Sequence, residues 1–150
     1  MNLGQRDKPH PNTKFDFLGY TFRSRVVKNR KRNTLFVSFT PAVSAKALKA
    51  MRANVRRLNY RNRTELSLRD ISRLHNPVLR GWVAYYGKFY PSALYPVFRH
   101  FNMTLVAWAM RKFKRLKGHK TRAGLFLERI AEKQPQLFVH WQRGTVGAFA

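Results

Sequence analysis

The chain has 150 residues, 44% of them hydrophobic and 14% aromatic, which is enough apolar material for one ordinary core and sets a single ordered domain as the expectation. Thirty-one Lys and Arg against six Asp and Glu give a formal charge of +25, far beyond what solubility needs, so the surface calls for a polyanionic partner. No stretch approaches the roughly 18 to 20 consecutive apolar residues of a membrane span, no signal-peptide-like run opens the chain, and the absence of cysteine excludes a disulfide framework and cysteine-ligated zinc; cytoplasm, without a membrane partner, is the expected location.

The opening MNLGQRDKPHPNTK is polar and aperiodic and reads as a disordered tail or linker over 1–14. Order is expected from Phe15. FDFLGYTFRSRVV and NTLFVSFTP are two β-prone runs separated by the polar KNRKRN, which predicts an N-terminal β-hairpin with a basic tip. Ser44 then suits an N-cap, and Leu48, Met51, Val55 and Leu58 follow the spacing of one helical stripe, so a helix is expected over about 45–60. Ser67 and Asp70 form a capping box opening another helix, which meets Asn76-Pro77; a break or a kink are both open there, and a short helix followed by a second one is favoured.

From Pro77 onward, Val78, Leu79, Trp82, Val83, Tyr86 and Phe89 fall at helical spacings and should be substantially buried. Leu94, Phe98, Phe101, Leu105 and Trp108 form the longest stripe, with the basic run RKFKRLKGHK at its C-terminal end. A last helix over about 121–133 stops before Pro135, LFVHW reads as a short extended tail packing on the bundle, and 142–150 as a flexible C-terminus. The fold class is therefore mainly α, a small helical bundle with an N-terminal β-hairpin, ordered over 15–141.

Catalysis would need positioned acids, bases or metal ligands, but Asp7, Asp16, Glu65, Asp70, Glu128 and Glu132 are scattered. Glu128 and Glu132 sit one helical turn apart, and pairing with Arg129, Lys133 or other surface cations accounts for them. His10, His75, His100, His119 and His140 show no metal-ligand spacing; His119 is a candidate phosphate contact, and His140 is expected to pack beside Trp141. Trp82 and Tyr86 are assigned to the core, while Tyr85 and Tyr90 stay open to base stacking. No catalytic residue, metal or cofactor is expected, and the protein is read as a non-enzyme.

The cations carry the functional signal. Lys49, Arg52 and Arg56 run one residue behind Leu48, Met51 and Val55, with Arg57 beside them, so a basic stripe flanks the packing stripe. Arg61 and Arg63 extend it into the following loop. Arg111, Lys112, Lys114, Arg115, Lys117 and Lys120 form a second patch, and Lys28, Arg30, Lys31 and Arg32 at the hairpin tip a third. Arg80 suits a phosphate contact and an internal bond equally. With six acids available, most of these cations lack partners, which favours phosphate binding to an irregularly folded RNA.

Several strings resemble one family: FLGYTF at 17–22, FTPAVSAKALKAMRANVRRL at 39–58, NPVLRGWVAYYGKFYPSALYPVFRHFN at 76–102 and QPQLFVHW at 134–141. The resemblance, over nearly all of 15–141, is to the maturase-specific domain of group II intron reverse transcriptases. It implies a thumb-like bundle that binds group II intron RNA and assists its folding and splicing, with the basic residues named above as RNA contacts. FLGYTF resembles the last polymerase block at the palm–thumb border, yet no YADD-like aspartate pair and no cysteine-bearing endonuclease region are found here, so neither reverse transcription nor DNA cleavage is carried over. A truncated or split intron-encoded protein is the expectation. The alternatives are a generic basic RNA- or DNA-binding protein and a thumb half that needs a separately encoded polymerase half.

Overall fold

A computed structural model of the protein describes the backbone of residues 14–29, 34–145 and 149 and the side chains of 18–21, 42–145 and 149. The first β-prone run does not make one strand. Leu18 and Gly19 adopt φ of 53° and 83°, the pair of positive values that a two-residue hairpin turn requires, and they divide the run into β1 (Lys14–Phe17) and β2 (Tyr20–Asn29). With β3 (Thr34–Val43) these form an antiparallel sheet of order β1-β2-β3, in register Phe17↔Tyr20 and Tyr20↔Val43. The expected hairpin is thus β2 and β3, joined by a third strand. Gly19 is also a packing requirement, because a Cβ there would lie 2.9 Å from the Tyr86 ring.

Ser44 caps α1 (Ala45–Leu58) by accepting from the Ala47 N–H at 3.1 Å, and its own N–H donates to the Gly19 carbonyl at 2.7 Å, tying sheet to helix. Met51 and Val55 are buried as the stripe predicts, but Leu58 is exposed, because Asn59 turns left-handed and ends the helix there. The capping box of α2 (Leu68–Tyr86) is present, with Asp70 N–H donating to Ser67 Oγ and Ser67 N–H to an Asp70 carboxylate oxygen.

The expected division at Asn76-Pro77 does not occur: α2 runs through Pro77 as one helix. An interior proline costs about 3 kcal/mol relative to alanine, but Ile71, His75 and Leu79 lie buried on one face either side of it, and Trp82, Val83 and Tyr86 continue that face half-buried. Breaking the helix would pull these side chains off the core. Asn76 is held as well, its Nδ2 donating to the Leu137 carbonyl at 2.9 Å and its Oδ1 accepting from the Val139 N–H at 3.1 Å. Phe89, expected inside, is 54% exposed, since α2 stops at Tyr86 and the stripe does not extend to it.

The centre of the fold is α3 (Tyr95–Lys112), which packs against α1, the 3-10 turn Tyr60–Asn62 and α4 (Lys120–Lys133). Leu94, Phe98, Phe101, Leu105 and Trp108 are all buried. The LFVHW segment is extended only at Phe138 and then winds into a short helix, α5 (Val139–Gln142), closed by a bond from the Gln142 N–H to the Phe138 carbonyl. Phe138, Val139, His140 and Trp141 are buried, and Phe149 packs edge-on against Trp141.

Both core histidines are neutral imidazoles. His75 stacks on Phe101, accepts or donates one bond with the Tyr60 hydroxyl at 3.1 Å, and burial lowers its pKa to about 4. His140 is fully enclosed; burial, with a smaller contribution from His75, lowers its pKa to about 3.

Candidate nucleic-acid interface

The left-handed Asn59 reverses the chain at the end of α1, and Tyr60, 3% exposed, plugs the next turn into the core beside His75. That anchor leaves Arg61 pointing outward near Arg56. Between α1, this turn and α3 lies a hollow of about 170 Å³, lined by Val55, Met103 and Ala107 on its apolar side and by Arg56, Arg61, His100 and Thr104 among its polar groups. His100 is half-buried; burial, then Arg56 and Arg52, lowers its pKa, and its Nδ1 is buried without a hydrogen-bond partner.

A second hollow of about 440 Å³ continues along α3 and is lined by Met103, Ala107, Met110, Arg111, Lys117 and Lys120 among others. Met103 and Ala107 belong to both hollows, so the two form one trough along an α3 face that lies away from the Phe101–Leu105–Trp108 packing stripe. Gly118, at φ +77°, makes the turn between Lys117 and the start of α4. Five cations expected from sequence, Arg56, Arg61, Arg111, Lys117 and Lys120, therefore border one surface although the first and last stand 64 positions apart in the chain. Lys49 is exposed on α1, whereas Arg52 is half-buried toward His100.

The other named cations are placed differently. Lys112 turns inward: its Nζ donates to the Thr64 and Leu66 carbonyls at 3.1 and 2.8 Å and lies 5.5 Å from the Trp108 ring, so it clips the loop before α2 to α3. Arg63 pairs with Glu65 at 3.0 Å, the one ion pair among the described residues, and the expected pairing of Glu128 and Glu132 with nearby cations is not seen there. Arg115 lies over Phe126 and borders a separate hollow with Arg122 and Arg129, two cations that their seven-residue spacing on α4 could have flagged. Arg57, Arg80 and Lys114 are exposed and line neither half of the trough. Lys28 lies on β2 with only its backbone described, and Arg30, Lys31 and Arg32 fall outside the described residues.

Sequence reasoning missed His100, Met103, Thr104 and Ala107 as site residues, although with Arg111 they follow helical spacing along a second α3 face. Among the described residues no three His, Cys, Asp or Glu side chains gather to hold a metal ion, and no helix is long and apolar enough to cross a membrane.

The fold and this surface define a class, a small basic helical domain with a sheet at its N-terminal edge and a cationic trough along its central helix. The family described as "Group II intron, maturase-specific domain" matches residues 48–124, and the chain belongs to that family. The matched span runs from α1 into α4 and includes every residue that lines the trough. Membership gives the protein a function related to group II intron maturation and implies interaction with group II intron RNA. No curated protein and no solved structure matches the chain.

Proposed function

We propose that this protein binds folded group II intron RNA along the α3 trough and assists its folding and splicing. The observation behind this reading is the convergence of Arg56, Arg61, Arg111, Lys117 and Lys120 on one surface with no acidic partner among the described residues. Each cation that meets a phosphate releases a condensed counterion. A compact intron packs its phosphates more densely than an open one, so a fixed row of cations binds the compact form more tightly and shifts the population toward it. The protein contributes charge and shape, and the chemistry belongs to the RNA.

Splicing of an intron from the same genome at limiting magnesium, with and without purified protein, tests the reading. Acceleration that disappears when the five trough cations are changed to Gln supports it. Equal affinity for intron RNA and for an unrelated RNA of the same length would favour the generic basic binder instead.

A second reading, that the domain completes a separately encoded polymerase half, is favoured by one feature. Leu18, Tyr85 and Phe89 are 68%, 46% and 54% exposed around Tyr20, where the Tyr85 hydroxyl donates to the Leu18 carbonyl and the Tyr20 ring meets Tyr85 and Phe89. An apolar face of this kind beside the sheet suits a protein neighbour. Changing Leu18 and Phe89 to Ser should abolish binding to such a half while leaving RNA binding unchanged.

A further inference from the structure

We infer that the hollow between α1, the Tyr60–Asn62 turn and α3 seats a single unpaired RNA base, with Arg56 and Arg61 holding the flanking phosphates; this rests on the RNA-binding reading above. The hollow differs from the rest of the trough in its size and in the uncharged polar side chains of its wall, Asn59, Tyr60, His100 and Thr104. At about 170 Å³ it is small, and Val55, Met103 and Ala107 give it an apolar interior. A phosphate pressed against those side chains would give up water that they cannot replace, whereas the face of a base loses little there. The two arginines stand at its border, and both are exposed.

The polar groups of the wall suit the edge of a base. Thr104 Oγ1 already donates its proton to the His100 carbonyl at 3.1 Å, so it is left as an acceptor. Asn59 Oδ1 already accepts from Asn62 Nδ2 at 2.7 Å, so its amide nitrogen is left as a donor. His100 adds an imidazole whose charged form is disfavoured by burial, then by Arg56 and Arg52, and whose buried Nδ1 has no protein partner. A hollow of about 170 Å³ has room for one splayed base and none for a duplex. Proteins read RNA sequence mostly through such unpaired, unstacked bases.

The test compares two RNA hairpins, identical except that one has a single bulged nucleotide, binding to the full chain. The wild type should prefer the bulged hairpin by roughly 5- to 150-fold, the range expected for one base packed on protein. Ala107→Phe, which fills the hollow, should remove the preference while leaving the salt dependence of binding unchanged, since the arginines remain. Thr104→Val, a change of one polar atom, keeps the test open if Ala107→Phe does not fold, and should reduce the preference for the bulge. Tight, salt-dependent binding that ignores the bulge in the wild type, or a preference that survives both substitutions, overturns the base site and leaves the RNA-binding reading standing. Failure to bind either hairpin or intron RNA overturns both.

Discussion

Asn102 and His140, 38 residues apart in the chain and both without solvent exposure, share a hydrogen bond between Asn102 Oδ1 and His140 Nε2. The same oxygen accepts from the Trp141 indole at 3.0 Å. An indole N–H only donates, so the acceptor is the amide oxygen and His140 carries its proton on Nε2. Asn102→Leu should strand two buried donors, at about 1–3 kcal/mol each. A drop in the unfolding free energy of about 2–6 kcal/mol in urea titration is expected; an unchanged midpoint would mean that water reaches both donors.

The buried histidines set an acid limit on stability. In the unfolded chain they titrate near the ordinary value of about 6.5, and in the folded chain at about 4 for His75 and about 3 for His140. Below pH 6.5 the unfolded state therefore takes up protons that the folded state refuses. Stability should be level above pH 7 and fall as pH drops from 6.5 toward 4, by about 1.4 kcal/mol per pH unit for each histidine within its window. Urea midpoints at pH 7.5, 6.0 and 5.0 read this directly, above the range where carboxylates contribute. A level profile across that range would show that both histidines protonate in the folded protein.

Lys112 is expected to separate stability from binding. Replacing it by Met keeps the aliphatic stem over Trp108 but removes both carbonyl contacts, and a loss of about 1–3 kcal/mol is expected from a charged donor of this kind. The salt dependence of RNA affinity should stay as it is. A flattened salt dependence with unchanged stability would assign Lys112 to the RNA.

The trough cations should behave in the opposite way. Changing Arg56, Arg61 and Arg111 together to Gln leaves every buried side chain in place, so the thermal midpoint should hold. Each phosphate contact removed flattens the dependence of log affinity on log salt by about 0.7 to 0.9, which sums to roughly 2 to 3. Binding isotherms at several salt concentrations measure it, with Arg80→Gln, outside the trough, as the comparison expected to change the slope least. If the triple variant binds with the wild-type slope, the contact surface lies elsewhere, with Arg115, Arg122 and Arg129 the next set to change.

Much of this protein is local and was legible as such. The Ser44 cap, the Ser67–Asp70 box and the α3 stripe from Leu94 to Trp108 are set by spacings of three and four residues, and they stand where periodicity puts them. The family was legible in the same way, as contiguous strings. Tertiary structure decided whatever depends on a partner distant in the chain. Pro77 stays inside α2 because one buried face spans it and Asn76 is bonded to residues 137 and 139, while Leu18 and Gly19 break a strand-like run where the turn meets Tyr86. Asn102 looks like a polar interruption of a hydrophobic helix until His140 and Trp141 arrive to use its oxygen. The cations followed the same division: charge and helix face were readable residue by residue, but only the packing of α1 and α4 on either side of α3 joined Arg56 and Arg61 to Arg111, Lys117 and Lys120 and turned Lys112 away from them.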